Sequence, residues 1–208
     1  MKYLPYSIYL LLLTFIPCQS LISQTVEWSD GHAQGTGCNT SDTSIFSFGD
    51  EISWVFSNLG IRLSAENGPR AMNKFCNISA DARVAQGNYV TEFQQILTYG
   101  GIKTQWGSQA SVSTTARFYG HVIKPFKVDL RNGTDFDEAL ISQTLTDKGA
   151  SISQSNWWCR PNRNPRGKLM GRISVNGQLI GQPGGSVVIN AQSFDIKYAA
   201  SLKWRSCD

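Results

Sequence analysis

The chain has 208 residues, of which 41% are hydrophobic, 11% aromatic and 16% charged, and its formal net charge is +4. This aromatic content excludes a disordered chain, and the length suits one domain with its own core. The charged fraction lies below the roughly 25% of an average soluble domain, and so mild a net charge does not favour nucleic-acid binding.

The N-terminus has the features of an export signal. Lys2 is followed by an apolar run from Ile8 to Ile16, and small residues allow cleavage between Ser20 and Leu21. A membrane-spanning helix needs about 20 apolar residues, so this run is too short for a stable span. We therefore expect residues 1–20 to be a signal peptide and residues 21–208 to form a single secreted, extracellular domain.

Alternation of apolar and polar residues recurs along the rest of the chain, which is typical of half-buried β-strands. The pattern is clearest from Cys76 to Val84, where Asn77 falls on the polar face, and from Ile196 to Trp204. Further predicted strands are Ile45–Phe48, Ile52–Phe56, Ile61–Ala65, Val90–Tyr99, Ser111–Val122, Arg172–Leu179 and Ser186–Asn190. Turn residues such as Gly49-Asp50 and Asn176-Gly177 separate them. Short strands at this spacing predict an all-β fold, either a closed barrel or, as we expect, an antiparallel jelly-roll-like sandwich.

Two segments interrupt the alternating pattern. Asp135–Leu145 (DFDEALISQTL) fits helical spacing loosely, and we expect a short helix there. Trp157–Lys168 (WWCRPNRNPRGK) contains Pro161 and Pro165, which disfavour a helix or a central strand. The second segment is therefore predicted to be an exposed loop tethered at Cys159.

This loop is the strongest candidate binding site in the sequence. Its tryptophans and cations are Trp157, Trp158, Arg160, Arg163, Arg166 and Lys168. Cations beside aromatic rings can hold a polysaccharide or an anionic polymer through charge, stacking and cation–π contacts. Consecutive residues of a strand point to opposite sides, so one of the two tryptophans is expected in the core. The alternative is a solvated basic loop with no ligand.

Four cysteines remain after removal of the leader, which takes Cys18 with it: Cys38, Cys76, Cys159 and Cys207. An even number in an exported chain indicates two disulfides. Of the three pairings, we favour Cys38 with Cys76 and Cys159 with Cys207, because each closes a loop of moderate length. Loops of that size give about 4 kcal/mol in the chain-entropy description.

Three Asn-x-Ser/Thr sequons begin at Asn39, Asn77 and Asn132. They are compatible with a glycoprotein. Their number is close to what chance gives in a chain rich in Asn, Ser and Thr.

Several short motifs resemble a known family of secreted proteins, catalogued as domain of unknown function 4360. They are a Gly-Thr-Gly-Cys step at Gly35–Cys38, a cysteine opening the alternating strand at Cys76, the aromatic-Cys element Trp157–Cys159, and the ending Leu202–Cys207. The resemblance covers nearly all of the secreted part. It implies a compact exported β protein with paired cysteines, and it supplies no catalytic residue.

Residues that could form a catalytic site are few. A Ser-His-Asp arrangement needs a histidine base, and the chain has only His32 and His121. The local carboxylate clusters are Asp50 with Glu51, and Asp135 with Asp137 and Glu138. A turn explains the first cluster and a helix start the second. There is no C-x-x-C spacing or EF-hand loop, so we expect neither a metal nor a cofactor.

The favoured hypothesis is a non-catalytic extracellular module that binds a surface or matrix component, such as a polysaccharide or an anionic polymer. It follows from the sparse catalytic residues and the basic, tryptophan-containing loop. A secreted hydrolase using carboxylates is one alternative, so whether the chain is an enzyme stays open. The other alternative is a purely structural secreted protein without a specific ligand.

Overall fold

The computed structural model describes residues 25–64, 66, 68–99, 102–104, 108–131, 141–147, 159, 166–180, 186–189 and 196–207. The expected signal peptide lies outside them. The strands are β1 (Val26–Gln34), β2 (Thr43–Phe48), β3 (Glu51–Phe56), β4 (Ile61–Ser64), β5 (Ala71–Val84), β6 (Asn88–Tyr99), β7 (Ile102–Thr104), β8 (Ser108–Phe118), β9 (His121–Arg131), β10 (Ile141–Asp147), β11 (Arg166–Leu179), β12 (Ser186–Ile189) and β13 (Ile196–Ser206). Within the described ranges, no helix is long and apolar enough to cross a membrane.

The strands form two large antiparallel sheets and one small one. Sheet A has the order β1-β5-β11-β8-β9, sheet B the order β10-β6-β13-β3-β2, and the small sheet C the order β4-β12-β7. Sheets A and B pack against each other and enclose the core. The predicted all-β antiparallel sandwich with two disulfides is confirmed.

Alternating residues of the long strands fill the core between sheets A and B. Its largest buried side chains include Trp54, Phe56, Phe93, Phe118 and Tyr198. The predicted apolar face from Cys76 to Val84 is buried, and Asn77 is exposed on the opposite face. Trp204 departs from the predicted pattern, since it is 38% exposed beyond a β-bulge that follows Lys203.

A buried amide joins the two sheets inside this core. Gln95 of β6 is 3% exposed, and its Nε2 donates a 2.9 Å hydrogen bond to the backbone oxygen of Lys124 in β9. Its Oε1 accepts hydrogen bonds from the hydroxyls of Thr114 (3.4 Å) and Tyr198 (3.2 Å). Burial raises the pKa of the Tyr198 phenol above its ordinary value, because the charged phenolate would lose its hydration.

The Gly-Thr-Gly-Cys step fastens the end of β1 to β5. A side chain at Gly35 would lie 2.1 Å from the backbone oxygen of Phe75, so only glycine fits there. The backbone N–H of Phe75 donates to Thr36 Oγ1 (3.1 Å), and its oxygen accepts from the N–H of Gly37 (3.0 Å). The adjacent disulfide then locks this loop to the strand.

Both predicted disulfides are confirmed. Cys38 is bonded to Cys76, and Cys159 is bonded to Cys207. The Cα atoms of each pair lie 5.5 Å apart, which is within the range that a disulfide requires.

Two sequence predictions were wrong where a turn decides the structure. The strand predicted from Ser111 to Val122 is interrupted by a hairpin turn at Tyr119-Gly120, whose φ angles are +52° and +79°. Positive φ at both central residues is the geometry of a tight two-residue turn, but tyrosine is an unusual first residue for it. Conversely, the sequence predicts both a strand over Arg172–Leu179 and a turn at Asn176-Gly177 within it; the strand is confirmed and the turn is wrong, because both residues lie inside β11, paired on both sides.

Two further predictions were corrected by strand pairing. The helix predicted over Asp135–Leu145 is wrong for Ile141–Leu145, because these residues belong to β10, which pairs with β6. The loop predicted over Trp157–Lys168 is wrong for Arg166 and Lys168: both are exposed, but they lie at the start of β11, opposite Arg83 and Asp81 of β5. In both cases pairing with a long neighbouring strand outweighs local sequence preference. The remaining residues of the two predicted segments, apart from Cys159 and Gly167, lie outside the described part of the chain.

Candidate functional site

The outer face of sheet A is covered by polar side chains from four adjacent strands. Strand register places Asn73 (β5), Asn176 (β11), Ser111 (β8) and Asp129 (β9) directly opposite one another in a single line. We call this line the amide row. With neighbouring strands about 4.8 Å apart, it extends about 14 Å across the sheet.

Hydrogen bonds run along the amide row and hold its side chains in place. Asn73 Nδ2 donates a hydrogen bond to Asn176 Oδ1. Asn176 Nδ2 in turn donates a 3.4 Å hydrogen bond to Ser111 Oγ. In the neighbouring line, Gln109 Nε2 donates a 3.1 Å hydrogen bond to Gln178 Oε1. The surface therefore presents oriented amides and a hydroxyl that still have free donor and acceptor positions.

A shallow groove of about 530 Å³ lies over the amide row. Its lining includes all four members of the row together with Gln109, Gln178, Ala71 and Lys127. Lys127 Nζ and Asp129 Oδ1 form an ion pair of 2.8 Å at the β9 side. The groove is thus mainly uncharged and hydrogen-bonding, with one paired cation and carboxylate at its rim.

A cation–π contact borders the groove. The guanidinium carbon of Arg172 lies 4.0 Å from the centroid of the Phe75 ring. Phe75 is two residues along β5 from Asn73, and both side chains lie on the outer face. Arg172 is exposed and covers this ring with a flat, hydrogen-bonding group.

The other end of the same face is basic. Arg83, Arg117, Arg166 and Lys168 are all exposed there, on three adjacent strands, and we call them the basic end. Arg166 lies opposite Arg83, and Arg117 lies opposite Met170, which is 56% exposed. Among the described residues, the carboxylates that register places beside these cations are Glu27 and Asp81. Cations therefore outnumber acids at this end.

The structure describes only part of the predicted binding loop. Arg166 and Lys168 are exposed at the basic end. Trp157, Trp158, Arg160 and Arg163 lie outside the described residues, so the prediction for them stays a prediction. Cys159 is described, and its disulfide ties this segment to Cys207.

The predicted catalytic candidates do not come together in the described part of the chain. His32 is exposed on β1 with its Nδ1 3.0 Å from Thr40 Oγ1, while His121 begins β9. Asp50 accepts a hydrogen bond from Trp204 Nε1, and Glu51 lies 3.6 Å from Lys197 Nζ. Asp135, Asp137 and Glu138 lie outside the described residues. Among the described residues, no three His, Cys, Asp or Glu side chains are grouped as metal ligands.

Two of the sequon asparagines can be located. Asn77 is exposed in the middle of the outer face of sheet A. Asn39 is also exposed, and its Oδ1 accepts hydrogen bonds from the backbone N–H groups of Ser41 (2.8 Å) and Asp42 (3.0 Å). Asn132 lies outside the described residues. Glycosylation at these sites remains a prediction.

The sequence interpretation missed the amide row. Its four members lie on four strands that are distant in sequence, so no motif contains them. A partial signal was alternation: Ser111 in β8 and Asn176 in β11 each lie between two buried residues, whereas Asn73 in β5 lies between the half-buried Met72 and Lys74. Only strand pairing shows that these positions are aligned.

No protein-family model and no curated protein matches the chain. Similar solved structures include a family 61 carbohydrate-binding module in complex with β-1,4-galactotriose, at 11% identity over 82% of this chain and 88% of that chain, with a TM-score of 0.32. A family 11 carbohydrate-binding module from Clostridium thermocellum, in complex with a β-1,3-1,4-mixed-linked tetrasaccharide, is 8% identical over 87% and 91%, with a TM-score of 0.18. The enzymatically active domain of bacteriophage CBA120 tailspike protein 4 is 14% identical over 86% of this chain and 19% of that one, with a TM-score of 0.25. TM-scores of this size denote a loose similarity, and the site above depends on its own geometry alone.

Proposed function

We propose that this protein is a non-catalytic extracellular module that binds polysaccharide on the outer face of sheet A. The observation that supports it is the amide row under an open groove. Planar amides present a donor and an acceptor side by side, which suits the adjacent hydroxyl groups of a sugar. An open groove accepts an internal segment of a long polymer, whereas an enclosed pocket would accept only an end.

The rigidity of the surface also supports binding. The four side chains of the amide row project from strands, and the amides hold one another through hydrogen bonds. Side chains that are already ordered lose little conformational entropy when a ligand binds. The extracellular location is proposed from the export signal and from two disulfides, which persist in oxidising compartments.

Affinity electrophoresis against a panel of neutral and acidic polysaccharides, followed by calorimetry on the best ligand, tests this proposal. Asn73→Ala and Asn176→Ala should each weaken binding about tenfold, because each removes about one to two hydrogen bonds. Gln94→Ala is the matched control, since it removes an amide from the outer face of sheet B. Unchanged binding in both groove variants, with ligand bound by the wild type, would refute the groove as the site.

The basic end favours acidic polymers as a second candidate ligand. Binding of a polyanion to the basic end should weaken as salt is added. The reason is that binding releases counterions from the polymer, and added salt opposes this release. The double variant Arg83→Ala/Arg166→Ala should elute from an acidic-polysaccharide column at lower salt than the wild type. Lys203→Ala is the control, because Lys203 pairs with Glu92 on the other sheet at 3.1 Å. Identical elution of all three proteins would exclude the basic end.

The predicted loop requires a separate test. The triple variant Arg160→Ala/Arg163→Ala/Arg166→Ala should lose more acidic-polymer binding than Arg166→Ala alone if the loop contributes. Equal elution of these two variants would restrict the site to the sheet.

A further inference from the structure

β2 is an edge strand of sheet B with two exposed aromatic side chains. Among the described strands it has a neighbour on one side only, β3. Phe46 is 58% exposed and Phe48 is 91% exposed, and both lie on the outer face. Large apolar side chains at such exposure are costly to leave in water on an edge that can pair with another strand.

The other described edge strands carry features that oppose pairing. β1 has Glu27, Asp30 and a bulge between Ser29 and His32. β9 has Pro125, several charges and a bulge in its pairing with β8. β10 has Asp147, β4 has Arg62 and β7 has Lys103. β2 (TSIFSF) has no charge, no proline and no bulge in its pairing with β3, so it alone among these strands lacks protection.

The hairpin geometry shows which backbone groups of β2 face outward. Phe48 is paired with Glu51 across the two-residue loop Gly49-Asp50. The residues flanking such a loop exchange both backbone hydrogen bonds, and this pattern alternates along the strand. Ile45 and Ser47 therefore direct their N–H and C=O groups to the open edge.

We infer that this edge pairs with β2 of a second copy of the chain, in antiparallel orientation about a two-fold axis. The register that satisfies Ile45 and Ser47 in both copies places Phe46 opposite Phe46 of the second copy. That is a non-hydrogen-bonded pair, in which the Cα atoms lie about 4.5 Å apart. Because β2 carries no charge, it meets its own copy without charge repulsion in any register.

The pairing has a consequence that rests on the proposed function. The two-fold axis of an antiparallel pair is perpendicular to the sheet, so both copies present sheet A on the same side. Two grooves would then contact one polymer chain, and the second contact would form at high effective concentration.

Sedimentation velocity over a concentration series tests the pairing directly. The wild type should form a species of twice the chain mass. Ser47→Pro removes an N–H that faces the open edge, and Phe46→Lys places like charges opposite each other; each should weaken dimerisation at least about tenfold. Ser47→Ala and Val122→Lys, at a 62% exposed apolar residue on edge strand β9, should dimerise as the wild type does.

Phe46→Cys gives a positive test of the register. At a Cα distance of about 4.5 Å the two introduced thiols can form a disulfide, so mild oxidation should yield a covalent dimer. The Val122→Cys control should not form a covalent dimer under the same oxidation. A wild type that remains monomeric at every concentration, or a Phe46→Cys protein that does not crosslink, would overturn the inference. Calorimetry with a short oligosaccharide separates the two proposals, since monomeric Ser47→Pro should retain single-site affinity whether or not the wild type dimerises.

Discussion

The indole Nε1 of Trp204 donates a 2.9 Å hydrogen bond to the Asp50 carboxylate, across 154 residues of sequence. The backbone oxygen of Asp50 accepts a second indole hydrogen bond, of 3.1 Å, from Trp28. Trp28 belongs to sheet A, whereas Trp204 belongs to sheet B. The β2–β3 turn is therefore held by tryptophans from both sheets.

Asp50→Ala should lower the free energy of unfolding by about 1 kcal/mol, because it removes a hydrogen bond to a charged acceptor. Asp50→Asn keeps an acceptor oxygen and should cost less. Chemical denaturation of both variants measures the difference. In a Trp204→Phe background the Asp50→Ala effect should largely disappear, and an undiminished effect there would show that the contact does not stabilise the fold.

Gln95 connects two sheets through three hydrogen bonds in the core. Gln95→Met, which is similar in volume, should destabilise the protein by about 3 kcal/mol because buried polar groups lose their partner. Tyr198→Phe removes one of the three bonds and should cost about 1 kcal/mol. A Gln95→Met variant as stable as the wild type in urea would mean that the network contributes nothing net.

Because of the buried Tyr198 phenol, we expect the free energy of unfolding to fall at alkaline pH. The pKa of this phenol is raised by burial in the folded state, so the phenol stays protonated where the unfolded chain has already released its proton. The stabilisation is complete below the ordinary tyrosine pKa of about 10 and declines as the pH rises above it. In that range the free energy of unfolding of the wild type should fall, relative to that of Tyr198→Phe, by up to about 1.4 kcal/mol per pH unit. Parallel stability curves for the two proteins above pH 10 would contradict this expectation.

Gly35 and Gly31 offer a matched comparison on β1 and its extension. A side chain at Gly35 would meet a backbone oxygen at 2.1 Å, whereas one at Gly31 would meet the movable Ile45 side chain at 2.8 Å. Gly35→Ala should therefore cost about 3 kcal/mol and Gly31→Ala about 1 kcal/mol. Thermal unfolding of the oxidised proteins distinguishes them, and equal melting temperatures would contradict the close approach at Phe75.

Much of the fold could be predicted from local pattern. The alternation from Cys76 to Val84 correctly predicted which residues of that strand are buried. The lengths of the closed loops correctly predicted both disulfide pairings. The prediction was wrong where pairing decided the outcome. Ile141–Leu145 pairs with β6, and Asn176-Gly177 has a strand on each side.

The candidate site could not be predicted because register creates it. Asn73 and Asn176 meet only because β5 and β11 pair in one particular alignment, and nothing local to either residue encodes that alignment. The sequence interpretation located Arg166 and Lys168 as binding candidates through their charge. It could not show that they share a surface with Arg83, which lies far from them in the chain.

In β5, β8 and β11, folding and recognition use alternate residues of the same strands. Inward positions such as Cys76 and Val112 specify the core, while outward positions such as Asn73 and Ser111 contact solvent. Natural drift or a designed library could therefore change the preferred partner of this protein at outward positions alone. The sheet would then serve as a scaffold on which the displayed side chains change while the fold stays the same.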